Sequence, residues 1–221
     1  MCGRFTLRHS PDQIVARFDV DTVLAEAITP RYNVAPTQPI AVVTENSPRT
    51  LQMMRWGLVP SWAKDASIGN KMINARAETL AEKPSFKVAL SRRRCIIPAD
   101  GFYEWKKIGT AKQPMYIHTK TDELFGFAGL WEEWRSTDGE TIRTCTIITV
   151  SPNAVLSEIH NRMPAILRKE DEAAWLHRET TEIEEILPLL QPFPDEEVDA
   201  YPVSKRVNAA TGDEADFINP L

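Results

Sequence analysis

The sequence predicts an α+β fold: a single domain over residues 1–221, with a mostly antiparallel, barrel-like mixed β core flanked by several helices. Two observations carry this. Short runs rich in β-branched, aromatic and apolar residues crowd the middle of the chain, while capped segments of helical character sit at its flanks. No internal repeat, low-complexity tract or long Gly/Ser linker divides the 221 residues, a length that suits one large domain.

In chain order, Ser10-Pro11-Asp12-Gln13 reads as a helix start. Ser10 caps, Pro11 takes the first turn and Gln13 completes a capping box, with Ile14, Val15 and Phe18 giving an apolar face through about Val20. Pro30 to Pro39 reads as irregular. Strands are expected at 40–44, 51–56, 94–97, 114–118, 124–134 and 142–150, with a hairpin turn across Lys106–Lys112 that contains Gly109. Helices are expected at 78–90, interrupted by Pro84, at 151–160 after the Ser151-Pro152 cap, and at 170–177 and 182–190. Strand order does not follow from periodicity.

Hydrophobic content of 43% and charged content of 26% are globular values. No apolar run approaches the ~18 residues of a membrane helix, and the N-terminus lacks a signal-peptide pattern, so a cytoplasmic protein is expected. The three cysteines are an odd number without metal-ligand spacing, which points to reduced thiols, and Cys95 and Cys145 lie in apolar runs that read as core. No metal and no cofactor are expected. The net charge of −5 disfavours nucleic acid at first sight, but its distribution does not: residues 1–120 carry 18 Lys and Arg against 10 Asp and Glu, residues 121–221 carry 8 against 21. A basic working face with an acidic remainder fits this asymmetry, as does ordinary solvated surface.

Four segments hold candidate chemistry. The chain opens Met1-Cys2-Gly3-Arg4-Phe5. Removal of Met1, expected before a small side chain, would leave Cys2 with a free α-amine and a thiol on adjacent carbons. Their ordinary pKa values near ~7.7–8.0 and ~8.5 leave both partly deprotonated at neutral pH. Such a residue can condense with an aldehyde to an imine and then close to a thiazolidine; equally, Cys2 can be the second residue of an ordinary start. Glu104, between Tyr103 and Trp105, is either a buried proton-transfer group or the outward residue of an alternating strand. His160 alone among the four histidines has a polar cluster, His160-Asn161-Arg162, beside it, and otherwise reads as a surface or core histidine. Asn74 can cap the helix after it. Arg76 and Arg162 suit bidentate phosphate contacts or surface ion pairs. In Trp56-Gly57-Leu58-Val59-Pro60-Ser61-Trp62-Ala63-Lys64, Trp56 reads as core and Trp62 as an exposed stacking face.

Seven segments together resemble the SRAP family, the abasic-site-processing proteins also described as SOS-response-associated peptidases. They are MCGRF at 1–5, RYNVAPTQ at 31–38, WGLVPSWAKD at 56–65, INARAET at 73–79, CIIPADGFYEWKK at 95–107, IHNRMPAIL at 159–167 and VSKRVN at 203–208, in family order across nearly the whole chain. The resemblance implies binding of single-stranded DNA that carries an abasic site, and a covalent link to its open-chain aldehyde. By motif it makes Cys2 the nucleophile, Asn74 the group that orients the amine or sugar hydroxyls, Glu104 a proton shuttle, and His160 the group acting on the deoxyribose ring. Arg4, Arg76 and Arg162 would hold phosphates, Asn33 and Pro36 would line the channel, and Trp62 would pack on a base. Ala63 stands where some relatives have a second aromatic. The chain ends near the last motif, as expected of a compact bacterial-type member that works as a monomer and joins the nucleoid when on DNA. The rival readings are an N-terminal-nucleophile cysteine hydrolase using the same residues, and a non-catalytic reader of damaged single-stranded DNA.

Overall fold

A computed structural model describes residues 2–25, 27–45, 48–121, 123–180 and 182–221. Within them the strands are β1 (Arg4–Leu7), β2 (Thr22–Val23), β3 (Arg31–Val34), β4 (Pro39–Glu45), β5 (Arg49–Trp56), β6 (Asn74–Arg76), β7 (Arg94–Ala99), β8 (Gly101–Ile108), β9 (Ala111–Thr119), β10 (Phe125–Arg135), β11 (Thr141–Val150), β12 (Met163–Pro164) and β13 (Val198–Pro202). The helices are α1 (Pro11–Phe18), α2 (Pro84–Arg92), α3 (Ala154–Ser157), α4 (Glu172–Leu176) and α5 (Ile183–Ile186), with short 3-10 turns between them.

The expected barrel is present. β11 pairs antiparallel with β10, β10 with β7, β7 with β4 and β4 with β5, and β5 returns to β11 in parallel through Thr144↔Arg55 and Cys145↔Trp56. Five strands thus close on themselves, which removes the free edges of an open sheet. A second sheet, in the order β13-β9-β8-β1-β3, lies beside the ring. Its apolar face meets the barrel through Phe5, whose ring stands edge-on to Trp56 at 5.3 Å and Phe127 at 6.0 Å, and through Phe102 at 6.0 Å from Phe127. Its other face carries Tyr103 and Tyr116, covered by Val203, Val207 and Phe217 of the C-terminal segment. Trp56, Cys95 and Cys145 are fully buried, as their apolar settings predict.

The α1 start matches its sequence pattern: Gln13 N donates to Ser10 Oγ at 3.3 Å and Ser10 N donates to Gln13 Oε1 at 2.8 Å. Elsewhere the structure corrects the expectations. Pro84 opens α2 at its first turn and does not interrupt a helix, because a proline has no N–H to lose there. The helix expected at 151–160 is a single turn, α3, capped by Asn153, whose Oδ1 accepts from Leu156 N at 2.9 Å. Residues 31–34 are a strand paired with β1, not irregular chain. Asn74 begins β6 and caps no helix.

Two contacts set the corner that presents β8. Asp100, fully buried between β7 and β8, accepts from Thr6 Oγ1 at 2.6 Å, Arg8 N at 2.5 Å, Arg8 Nε at 3.1 Å and His9 Nδ1 at 2.9 Å. At Gly101, a Cβ would lie 2.1 Å from Tyr116 Oη, so only glycine lets β8 turn away there. Arg94 is buried without a carboxylate among the described residues. It donates to the carbonyls of Trp175 at 2.6 Å, Leu90 at 2.8 Å, Ser91 at 3.2 Å, His177 at 2.5 Å and Thr180 at 2.9 Å, which ties α2 and α4 to β7. Burial lowers its guanidinium to about 10. No described helix is long and apolar enough to cross a membrane.

Candidate active site

Cys2 precedes β1 and is 0% exposed, its thiol donating to Arg4 O at 3.7 Å. The expected loss of Met1 lies outside the described residues. β1 and β8 pair antiparallel, Arg4 opposite Tyr103, and this register brings Glu104 to the Cys2 end of the sheet. Glu104 is 2% exposed. Burial pushes the Cys2 thiol up, the Glu104 charge adds to that, and the bond to Arg4 O opposes it. The resting sulfur is therefore a neutral thiol.

β6 delivers the second group. Asn74 Nδ2 donates to Cys2 O at 2.8 Å, so the amide grips the backbone of the residue that would carry the amine. Asn74 Oδ1 is buried and has no hydrogen-bond partner among the described residues.

The third group arrives through β11. β6 runs parallel to it, Asn74 opposite Ile147 and Arg76 opposite Thr149, and β12 runs antiparallel on the same strand, Thr149 opposite Pro164. The turn His160-Asn161-Arg162 before β12 is thereby set against the end of β6. Arg162 donates to both Glu78 oxygens, at 2.6 and 2.9 Å, and to Thr149 O at 2.5 Å. Its backbone N–H donates to His160 Nδ1 at 3.1 Å. With Nδ1 accepting, a neutral His160 carries its proton on Nε2. The Arg162 contact holds the Glu78 carboxyl below the usual carboxylate range.

The other candidates divide. Arg76 and Trp62 are exposed, Trp62 at 58%, and Trp134 Nε1 donates to Ala63 O at 2.7 Å to steady that loop. Pro36 is half-buried in the turn after β3. Arg4 is half-buried and turned inward, donating to Val207 O at 2.7 Å and Asn33 Oδ1 at 3.3 Å; desolvation lowers its pKa. Asn33 is fully buried and donates to Ala209 O at 2.9 Å and Gly212 O at 2.8 Å. Its side chain anchors the C-terminal segment and presents no free edge to a channel. Two residues were missed from sequence. Glu78, in the same INARAET stretch as Arg76, had a charge-spacing signal; Thr149, one threonine among many in a strand, had none. Among the described residues no group of three His, Cys, Asp or Glu side chains is placed to hold a metal ion.

The geometry defines a class: a single-domain protein whose cysteine at position 2 is sequestered against an asparagine of β6 and a glutamate of β8, with a histidine-bearing turn set at the end of β6. The chain belongs to the SRAP family, whose model, described as SOS response associated peptidase, matches residues 1–210. It is 48% identical over 99% of both chains to the Bacillus subtilis abasic site processing protein YoqW. It is also 33% identical to the Mus musculus abasic site processing protein HMCES, over 86% of this chain and 65% of that one. A crystal structure of a protein from Bacteroides thetaiotaomicron superposes with a TM-score of 0.91 at 29% identity, covering 100% of both chains.

Proposed function

We propose that this protein processes abasic sites in single-stranded DNA, linking them covalently to Cys2 once Met1 is removed. The observation that carries the reading is the grip of Asn74 on Cys2 at 2.8 Å beside the buried Glu104. The relatives that share nearly the full length of the chain and are named for abasic site processing support the same reading.

The chemistry balances without a cofactor. The α-amine of Cys2 attacks the open-chain aldehyde and water leaves, giving an imine. The Cys2 sulfur then bonds to the imine carbon and its proton ends on nitrogen, closing a thiazolidine; the net loss is one water. The raised thiol pKa makes a proton acceptor necessary in the second step, and Glu104 is the carboxylate whose charge reaches the sulfur. Asn74 Oδ1 accepts from the amine or a sugar hydroxyl. His160 Nε2–H acts at the ring oxygen or hydroxyl, favouring ring opening and, in reverse, release. Ring closure removes the imine and so suppresses strand cleavage by β-elimination. Arg76 and Trp62 meet the DNA from exposed positions, Pro36 borders the path, and Arg4 and Arg162 approach phosphates as parts of anchored networks. Every named group comes from one chain, which suits a monomer.

The test is intact mass of the protein with an abasic single-stranded oligonucleotide. Expected are loss of Met1 and a denaturation-stable adduct at protein plus DNA less one water. Cys2→Ser should form no stable adduct while keeping some imine-dependent nicking; a heat-stable adduct with that variant would refute the thiazolidine. A mature Cys2 that is acylated by an amide substrate yet inert to the abasic aldehyde would establish the hydrolase instead.

A further inference from the structure

β8 does not end at the site. Beyond Glu104 it continues with β9 as a hairpin arm, Lys106 opposite Gln113, Lys107 opposite Lys112 and Ile108 opposite Ala111. Strand residues two apart share a face. Phe102, Glu104, Lys106 and Ile108 therefore line one face, the one whose base turns Phe102 into the core against Phe127. Tyr103, Trp105 and Lys107 line the other, where Trp105 Nε1 donates to Asn208 Oδ1 at 2.7 Å and locks the root of the arm to the C-terminal segment. The arm is thus anchored at its base and solvated at its tip.

Its outer half is unusual on three counts. Residues 105–112 carry three lysines and no acid. Lys107 and Lys112 stand directly opposite one another, a like-charge pair that weakens a hairpin unless an anion lies over it. Ile108, at the tip of the Glu104 face, is 59% exposed. None of the three lysines has an ion-pair partner among the described residues. At ~3.4 Å per residue, Lys106 lies about 7 Å and Ile108 about 14 Å along the strand from Glu104.

We propose that this arm, Lys106–Lys112, is a second nucleic-acid contact that holds the phosphodiester backbone of the nucleotides flanking the lesion. On the Glu104 face Lys106 takes the phosphate nearest the site and Ile108 offers an apolar seat to a sugar or base, while Lys107 and Lys112, side by side on the opposite face, take a phosphate further out where the strand passes round the tip. The occupant is the DNA of the proposed function, on which this inference rests.

The experiment measures equilibrium binding of single-stranded DNA bearing an unreactive abasic analogue, so that it does not depend on crosslink chemistry. The variants are K106Q/K107Q/K112Q and, as a charge-matched control on exposed lysines elsewhere, K83Q/K87Q/K169Q. A single-strand contact contributes about 0.7 to the slope of log affinity against log salt, so the arm variant should lose about 2 in slope and on the order of 10- to 100-fold in affinity near 0.1 M salt. The control should lose less than about 3-fold, and Ile108→Ala should weaken binding with no change in slope. Equal losses in both lysine variants, or an unchanged slope in the arm variant, overturn the proposal. A wild-type protein that never crosslinks but still binds DNA through these lysines would defeat the abasic chemistry and leave the arm standing. A wild-type protein that binds no DNA defeats both.

Discussion

Asn74→Ala tests the site at its best-defined contact. The substitution deletes the 2.8 Å bond to Cys2 O and the buried Oδ1 acceptor together. A neutral hydrogen bond contributes about 0.5–1.5 kcal/mol net, and a carbonyl left unsatisfied costs about 1–3 kcal/mol. If that loss falls on the transition state for imine formation, at about 1.36 kcal/mol per tenfold it slows crosslinking on the order of 5- to 150-fold. Global stability should fall by about 1–2 kcal/mol, because only one strand-end contact is removed. Asn74→Asp separates position from chemistry. It keeps the shape, but an ionised carboxylate cannot donate, so it sets two acceptors against each other and should be at least as slow as alanine. The assay is single-turnover crosslinking at saturating DNA, read on denaturing gels, with urea unfolding of each variant alongside. Rates within twofold of wild type for both variants, with the fold intact, would refute the assignment of Asn74 to the amine.

Further outcomes follow from the same geometry. Burial raises all three thiols, Cys2, Cys95 and Cys145. Their contribution is complete below the unfolded thiol pKa near ~8.5 and is lost as pH rises towards the folded values, with a slope of up to ~4 kcal/mol per pH unit for three thiols. Urea midpoints between pH 8 and 10 should therefore fall, and Cys145→Ala should flatten the fall by about a third; a flat profile would contradict the burial. Arg94→Lys replaces a five-donor fork by three donors and leaves carbonyls bare, so stability should drop by about 3 kcal/mol or more, visible as a large fall in melting temperature. A loss under 1 kcal/mol would mean that the fork is not the tie between α2, α4 and β7. Trp62→Ala should leave stability unchanged and weaken single-strand binding by the ~1–3 kcal/mol of one base stack; unchanged affinity would return Trp62 to ordinary surface.

Local chemistry was legible in the chain because it is written in neighbouring residues. The Ser10–Gln13 box, the core role of Trp56 and the buried cysteines needed only their immediate surroundings. The resemblance to the SRAP motifs named Cys2, Asn74, Glu104 and His160 as candidates. Helix extent at 151–160 was not legible, because a cap-and-proline start says where a helix can begin and not where tertiary contacts end it. The strand at 31–34 was hidden for a related reason: its pairing with β1 is long-range, and its short run between prolines carries no alternation.

The linear sequence by itself determined which groups are available: a thiol at the second position, a carboxylate in an apolar run, an asparagine and a histidine in polar turns. Only the tertiary structure decided which of them meet. Two registers do this: β1 on β8 brings Glu104 to Cys2 and β6 on β11 brings Asn74, while β12 on β11 sets the His160 turn against the end of β6. It also decided which arginines are engaged. Arg162 and Arg76 look alike in sequence, but one is clamped by Glu78 and Thr149 while the other faces solvent, because ion pairing across 84 residues depends on strand order and not on composition.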